Sequence, residues 1–306
     1  MIKDLLKMED LTKEEILDIL NLADQLKYEI KHGIKHHHLE GKTLGMIFEK
    51  SSTRTRVSFE AGMYQLGGYP LFLSSSDLQI GRGEPIQDTA RVLSRYLNGI
   101  MIRTFSQEEV TNLAKCSNIP IINGLTDDEH PCQVLADLMT IRENKNILDG
   151  LKVAYIGDGN NMAQSLIVGC LTVGMNISLA IPKKYMVKKE YIDKGNEIAN
   201  KNNLTFNIVQ NPKEAVIDAD IVITDVWASM GQENEFNERL ESFKGYQVNS
   251  SLMSLTKENS IVLHCLPAHR EEEITEEILE KYSSVIFEEA ENRLHVQKAI
   301  LTKLLS

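Results

Sequence analysis

The sequence predicts an α/β protein made of two doubly wound parallel-sheet domains linked by interdomain helices. Short apolar runs of strand length alternate with segments of helical periodicity from residue 43 onward, a pattern that βαβ units of a parallel sheet produce. The alternation starts afresh after the Asp149-Gly150 turn, and 306 residues is about twice the usual domain size, so two domains are expected. A content of 42% hydrophobic and 25% charged residues is enough for real cores and excludes a disordered or fibrous chain.

The first element is an amphipathic helix over 12–32. Thr12 and Glu15 form a capping box, Ile16, Leu20, Ala23, Leu26 and Ile30 fall on one face, and Gly33 supplies the stop. The neighbouring His36, His37 and His38 sit in a Lys-rich loop and read as solvated surface. Strands are expected at 43–48, 70–74, 99–104 and 119–122, with helices near 53–66, 85–97 and 107–116, and a further helix over 134–144. The domain boundary is placed near residue 148, giving domains 1–148 and 149–290. The second series of strands is read at 152–157, 177–182, 204–209, 219–225, 260–266 and 284–289. A last helix, about 291–306, is expected to return to the first domain. The uncharged stretch 159–182 carries Asn160, Asn161, Gln164 and Asn176 and breaks at Gly174, so it reads as a buried helix and a strand, not a membrane span.

Charge narrows the function classes. With 33 basic and 44 acidic residues the net charge is -11, which argues against broad nucleic-acid or anionic-membrane binding. The opening MIKDLLKMEDLTKEE interrupts any apolar run with charges, so no secretory signal is expected and a cytoplasmic location is. Cys116, Cys132, Cys170 and Cys265 have no CxxC spacing and read as reduced thiols.

The most informative segment is EKSSTRTRVSFEAG, residues 49–62. It places Ser52, Thr53, Arg54, Thr55 and Arg56 between a strand and a helix, where free backbone N–H groups, hydroxyls, guanidinium groups and the helix dipole all favour an anion. Phosphate is the natural guest. Arg103 ends the run at 99–104, and His130, Pro131, Cys132 and Gln133 lie between a strand and a helix. Ligands of parallel α/β sheets collect at the carboxyl ends of strands, so these three segments are expected to surround one pocket.

These residues, with others in the same order along the chain, resemble the carbamoyltransferases of the aspartate/ornithine carbamoyltransferase superfamily, and within it the ornithine-specific branch. The resemblance rests on STRTR (52–56), DTARVLSRY (88–96), HPCQ (130–133), GDGNN (157–161), DVWASMG (225–231), HCLP (264–267) and FEEAENRLH (287–295), and covers essentially the whole chain. It implies transfer of the carbamoyl group of carbamoyl phosphate to the side-chain amine of L-ornithine, giving L-citrulline and phosphate in arginine metabolism, without metal or other cofactor. It further implies that Ser52, Thr53, Arg54, Thr55, Arg103, His130, Pro131, Cys132, Gln133, Cys265, Leu266 and Arg293 hold carbamoyl phosphate, and that Gln79 approaches it from a neighbouring subunit of a trimer or a multiple of trimers. Asn161, Asp225, Ser229 and Met230 would contact ornithine. Cys265 would lie beside the reacting amine and Leu266 would offer its backbone carbonyl. Catalysis would rest on Arg54, Arg103, His130, Asp225 and Cys265.

That chemistry is coherent. Arginines and helix-end donors stabilise charge building on departing phosphate, and cationic groups polarise the carbonyl. The acceptor amine, with an ordinary pKa of about 10.4, must shed a proton before it attacks. Two departures from the family pattern stand out: Ser51 where Pro is usual, and Glu271 where Gly is common after HCLPAHR. Competing readings are an acceptor such as aspartate or putrescine, a dinucleotide-binding oxidoreductase suggested by Gly157 and Gly159 after a strand, and a zinc site from His130, Cys132, His264 and Cys265. The aspartate branch carries HPLP in place of HCLP. The third glycine of a dinucleotide loop is replaced here by Met162, and adjacent His264 and Cys265 would face opposite sides of a strand.

Overall fold

A computed structural model of the chain describes residues 2–80, 83–228 and 235–306. Two compact units divide it: Met1–Leu135 with Asn292–Ser306, and Ala136–Glu291.

The first unit opens with α1 (Lys13–Lys31), capped as its sequence requires: the Glu15 N–H donates to Thr12 Oγ1 at 3.2 Å, and the Thr12 N–H donates to Glu15 Oε2 at 3.2 Å. Four parallel strands follow, β1 (Thr43–Phe48), β2 (Tyr69–Ser74), β3 (Gly99–Arg103) and β4 (Ile121–Leu125), in the order β2-β1-β3-β4. The helices α2 (Thr53–Gln65), α3 (Ile86–Leu93) and α4 (Gln107–Cys116) connect them. Leu5 extends the β4 edge, its N–H donating to the Ile121 carbonyl and its carbonyl accepting from the Asn123 N–H. Ile47, Ile100, Ile102 and Ile121 fill the core against Ala90, Val110 and Leu113. Strand order reverses between β1 and β3, so the crevice beyond their carboxyl ends is the expected ligand position. STRTR follows β1, and Arg103 closes β3.

Helix α5 (Pro131–Lys145) carries the chain across the division between units. That division falls inside the helix, upstream of the boundary expected near residue 148.

The second unit repeats the plan. Its parallel strands are β5 (Lys152–Ile156), β6 (Asn176–Ala180), β7 (Phe206–Val209), β8 (Ile221–Thr224) and β9 (Ile261–His264), in the order β7-β6-β5-β8-β9. Between them run α6 (Asn161–Thr172), α7 (Lys189–Asn202), α8 (Pro212–Val216), α9 (Phe236–Ser242) and α10 (Ser250–Met253), and α11 (Glu276–Lys281) follows β9. The uncharged stretch is α6 and β6, both largely buried. Its switch point lies between β5 and β8. The register aligns Ile156 with Thr224 and Thr224 with His264, so Gly157, Asp225 and Cys265 leave three adjacent strands side by side.

One expected strand is absent. Residues 284–289 belong to α12 (Ser283–Leu305), a continuous helix. Val285, Ile286 and Phe287 favour strands locally, but Ile286 is buried while Phe287 is 58% exposed, and buried positions recur at Ile286, Glu289, Arg293, Val296 and Ile300. Helical spacing over 23 residues overrides a three-residue propensity. Residues Asn292–Ser306 of this helix belong with the first unit. Among the described residues, no helix is long and apolar enough to cross a membrane.

His36 corrects another reading, because it is buried rather than solvated. Its Nδ1 lies 3.0 Å from Glu29 Oε2 and its Nε2 lies 3.2 Å from Lys298 Nζ. Lys298 is fully buried on α12, where its stem passes so close to α2 that a Cβ on Gly62 would sit 3.2 Å from Lys298 Cγ. Burial lowers the Lys298 amine to about 8, although Glu29 pulls it upward. A base depressed in the folded state is a burden below that pKa, and the burden lifts as pH rises from about 8 toward the ordinary value near 10.4. Lys298→Met should therefore raise stability at pH 7 by about 2–3 kcal/mol and flatten the rise in stability from pH 8 to 10. Urea unfolding across that range checks it; an unchanged slope would show that Lys298 is not the titrating group.

Candidate active site

In the first unit, α2 begins where the sequence calls for it. Ser52 is the N-cap, its Oγ accepting the Thr55 N–H at 3.2 Å, so the first-turn amides of Thr53 and Arg54 face out of the helix end. Arg103 is buried at the carboxyl end of β3, and its carbonyl accepts the Glu49 N–H at 2.9 Å, holding the β1–α2 loop against β3. His130 caps α5: its carbonyl accepts from the Gln133 and Val134 N–H groups, and Pro131 takes the first helical position, where a missing N–H costs nothing. Arg293 reaches in from α12, and its Nη2 donates to Thr55 Oγ1 at 2.8 Å.

His130 records how these groups converge. Its imidazole is held well below its ordinary pKa, first by burial and then by the Arg293, Arg103 and Arg54 guanidinium groups. It is therefore neutral at physiological pH, and the cations beside it are the three arginines. Like charges gathered beside a helix N-terminus define an anion site. Arg54 Nε is buried without a hydrogen-bond partner among the described residues.

Two sequence expectations change here. Arg56 does not join the cluster; its Nε bonds Glu60 Oε1 at 3.0 Å and its guanidinium stacks 3.7 Å from the Phe72 ring centroid on the exposed side of α2. Cys132 is fully buried, its Sγ donates to the Asn123 carbonyl at 3.5 Å, and burial pushes its thiol up to about 12, so its side chain is committed to packing. Gln79 is exposed in the turn after β2. Gln133 is fully buried on the first turn of α5. Lys50, which sequence reasoning passed over, is buried against Phe105 and pairs with Asp127, fixing the loop that leads into STRTR.

In the second unit, Asp225 is the hub. Asn160 Nδ2 donates to its Oδ2 at 2.8 Å, while the Val226 N–H at 2.8 Å and the Cys265 thiol at 3.1 Å donate to its Oδ1. Asn160 also caps α6 by accepting from the Met162 and Ala163 amides, so its orientation is fixed from both ends. Asn160 was missed beside Asn161, which is half-buried in the first turn of α6. The signal was present: an Asn one position before a helix is an N-cap, and its spare amide nitrogen needs an acceptor. Cys265 is partly buried, and burial together with Asp225, Glu289 and Asp137 holds the thiol well above its ordinary pKa. It is a thiol that donates, not a thiolate.

Arg239 braces this hub from α9. Its Nη1 donates to Asp158 Oδ2 and to the Trp227 carbonyl, both at 2.8 Å, and its guanidinium lies 4.5 Å from the Tyr185 ring centroid. Burial pushes Asp158 up to about 6 against the pull of Arg239. The expected contacts Ser229 and Met230 lie outside the described residues.

The glycine-rich turn after β5 has an internal explanation. A Cβ on Gly159 would stand 2.3 Å from the Tyr185 carbonyl oxygen and 2.4 Å from the Val187 nitrogen. The chain's own backbone occupies the approach that a dinucleotide pyrophosphate would need. The zinc reading weakens as well, since Cys132 and Cys265 already spend their thiols on Asn123 and Asp225.

Twin doubly wound units, one with three arginines gathered on His130 and the other with Asp225 joined to Asn160 and Cys265, describe a class, and comparison with known proteins gives it a name. Residues 3–143 match the model of the aspartate/ornithine carbamoyltransferase carbamoyl-P binding domain, and residues 149–304 that of the Asp/Orn binding domain. The chain belongs to the aspartate/ornithine carbamoyltransferase family. Within it, the chain is similar to the ornithine carbamoyltransferase of Anoxybacillus flavithermus, 56% identical over 99% of this chain and 96% of that one, and to that of Bacillus subtilis, 56% identical over 99% and 94%. Among solved structures, the ornithine carbamoyltransferase from Pyrococcus furiosus superposes with a TM-score of 0.96 at 48% identity over 99% of this chain and 97% of its own. The anabolic ornithine carbamoyltransferase from Campylobacter jejuni gives 0.93 at 44%, over 99% and 98%.

Proposed function

We propose that this chain transfers the carbamoyl group of carbamoyl phosphate to the side-chain amine of L-ornithine, forming L-citrulline and phosphate. The observation that carries the reading is the convergence of Arg54, Arg103 and Arg293 on His130 beside the N-terminus of α2. Those cations neutralise the phosphate and stabilise the charge it gathers as the C–O bond breaks. His130, kept neutral, offers a single N–H to the carbonyl oxygen. Ser52, Thr53, Thr55, Gln133 and the Pro131–Cys132 backbone complete the donor site, with Gln79 supplied by a neighbouring subunit of a trimer.

The acceptor site is assigned to Asn161, Asp225, Ser229 and Met230, with Cys265 and the Leu266 carbonyl holding the carbamoyl end of the donor beside the reacting amine. A carboxylate and a protonated thiol suit a cationic side chain and offer no counter-charge for the second carboxylate of aspartate. The amine nitrogen loses a proton, attacks the carbonyl carbon, and the tetrahedral adduct collapses with phosphate as the leaving group. Cys265, fixed as a donor to Asp225, is not the group that takes that proton. A cytoplasmic location fits free thiols and this pair of small soluble substrates.

Incubation with carbamoyl phosphate and L-ornithine, beside L-aspartate and putrescine, tests the reading. Citrulline from ornithine alone supports both sites. Carbamoylation of another amine keeps the donor site and overturns the acceptor assignment. Cys265→Ala should lower turnover or weaken ornithine saturation by about 10-fold, in keeping with loss of one positioned group, and affect carbamoyl phosphate saturation less. A larger effect on the donor constant than on ornithine would place Cys265 against carbamoyl phosphate alone.

A further inference from the structure

The turn that follows β9 holds an unusual backbone. Leu266 adopts the left-handed conformation, with φ 56°, which is costly for a residue carrying a Cβ and persists only where neighbouring contacts over-determine it. Glu271 is left-handed as well, with φ 67°, which accounts physically for the glycine favoured at that position. Two fully buried side chains with no part in the chemistry above hold this turn: His264, the last residue of β9, and Glu273.

The hydrogen bonds define their protonation. The Leu266 N–H donates to His264 Nδ1 at 2.9 Å, so Nδ1 carries no proton. The ring proton is therefore on Nε2, which lies 2.9 Å from Glu273 Oε1 and donates to it. The same carboxylate oxygen accepts the His269 N–H at 2.6 Å, so one atom ties both ends of the 264–269 turn. The pair is anchored outside the turn too. His264's own N–H donates to Glu289 Oε2 at 2.8 Å, and the Glu273 carbonyl accepts the Val248 N–H at 2.8 Å.

We propose that His264 and Glu273 are positioning residues that fix the direction of the Leu266 carbonyl and the Cys265 thiol where the carbamoyl group meets the acceptor amine; the kinetic consequence rests on the reaction proposed above. Packing alone does not call for this pair. A buried carboxylate and imidazole are expensive to desolvate, and apolar side chains of similar volume would fill the space at least as well. What apolar groups cannot do is accept the Leu266 N–H in one direction only.

The test compares Glu273→Leu with Glu273→Gln, which keeps an acceptor oxygen for Nε2. Glu273→Leu should lower kcat about 100-fold, the scale of a misplaced reacting group, with carbamoyl phosphate saturation within about 2-fold of the parent, and Glu273→Gln should recover most of the loss. A second readout is independent of activity. Protein labelled with carbonyl-13C cysteine and 15N leucine shows correlated amides only for Cys–Leu pairs, namely Leu171 and Leu266. Leu266 amide exchange should accelerate at least about 10-fold in Glu273→Leu, while Leu171, inside α6, stays unchanged. Unaltered kcat, unaltered Leu266 exchange, or equal acceleration at Leu171 and Leu266 would each overturn the proposal, the last by exposing a merely structural role. Should the parent make no citrulline, the proposed reaction fails, and Leu266 exchange alone judges the positioning.

Discussion

Arg54→Ala should abolish saturation with carbamoyl phosphate at millimolar concentration and reduce kcat/KM about 100- to 1,000-fold, the loss seen when one pre-oriented donor to a developing charge is removed. Arg54 sits in the first turn of α2, so it adds a full charge to the fixed partial charge of the helix end. Its removal should leave the fold intact. Ser52 still caps the helix, and the side chain is only half-buried, so neither a cap nor a core group is lost. The variant also carries a spectroscopic signature. Arg54 is one of the three cations that lower His130, so its loss should move the His130 titration upward toward the ordinary histidine range, while burial, Arg293 and Arg103 keep it depressed. Normal carbamoyl phosphate saturation in Arg54→Ala would remove the anion-site assignment altogether.

Much of this architecture is legible from residues alone, for a physical reason. STRTR is a local signal: a cap, a helix start and a cation within a few residues, each fixed by neighbours in the chain. The parallel sheets are legible because each strand is a short apolar run bounded by helical periodicity. Features set by partners distant in sequence are not. Val285 to Phe287 reads as strand until the periodicity of all of α12 is weighed. His36 reads as surface because Glu29 and Lys298, its partners, come from two other helices. Arg56 reads as an anion ligand because its spacing from Arg54 is known, while the Phe72 ring that draws it to the other face is not. Asn160 lies inside GDGNN and Arg239 on the helix that follows DVWASMG, yet their roles depend on Asp225 and on Asp158 with Trp227, contacts that no spacing reveals. The family resemblance supplied chemical roles where spacing could not, and the geometry then separated Cys132, a packing thiol, from Cys265, a hydrogen-bond donor to Asp225.

Asp225→Asn should be the most damaging conservative change on the acceptor side. The substitution preserves shape and one acceptor oxygen, enough for the Val226 N–H and the Cys265 thiol. Its new amide nitrogen then faces Asn160 Nδ2, setting donor against donor where a 2.8 Å hydrogen bond stood. Asn160 cannot turn to relieve this, because its oxygen is already accepting from the first-turn amides of α6. The change also deletes the negative charge that would receive the ornithine side chain. Together these should weaken ornithine kcat/KM about 1,000-fold, two effects of roughly 2 kcal/mol each, the scale of hydrogen bonds to charged groups. Carbamoyl phosphate saturation should stay as in the parent. Cys265 reports the same loss independently. Burial is the largest cause of its raised pKa and Asp225 the next, so removing that carboxylate should lower the thiol pKa and speed alkylation by iodoacetamide between pH 8 and 9. An alkylation rate equal to the parent's, with ornithine saturation preserved, would mean that Asp225 neither faces the acceptor nor governs the thiol, and that the network joining Asn160, Asp225 and Cys265 serves packing alone.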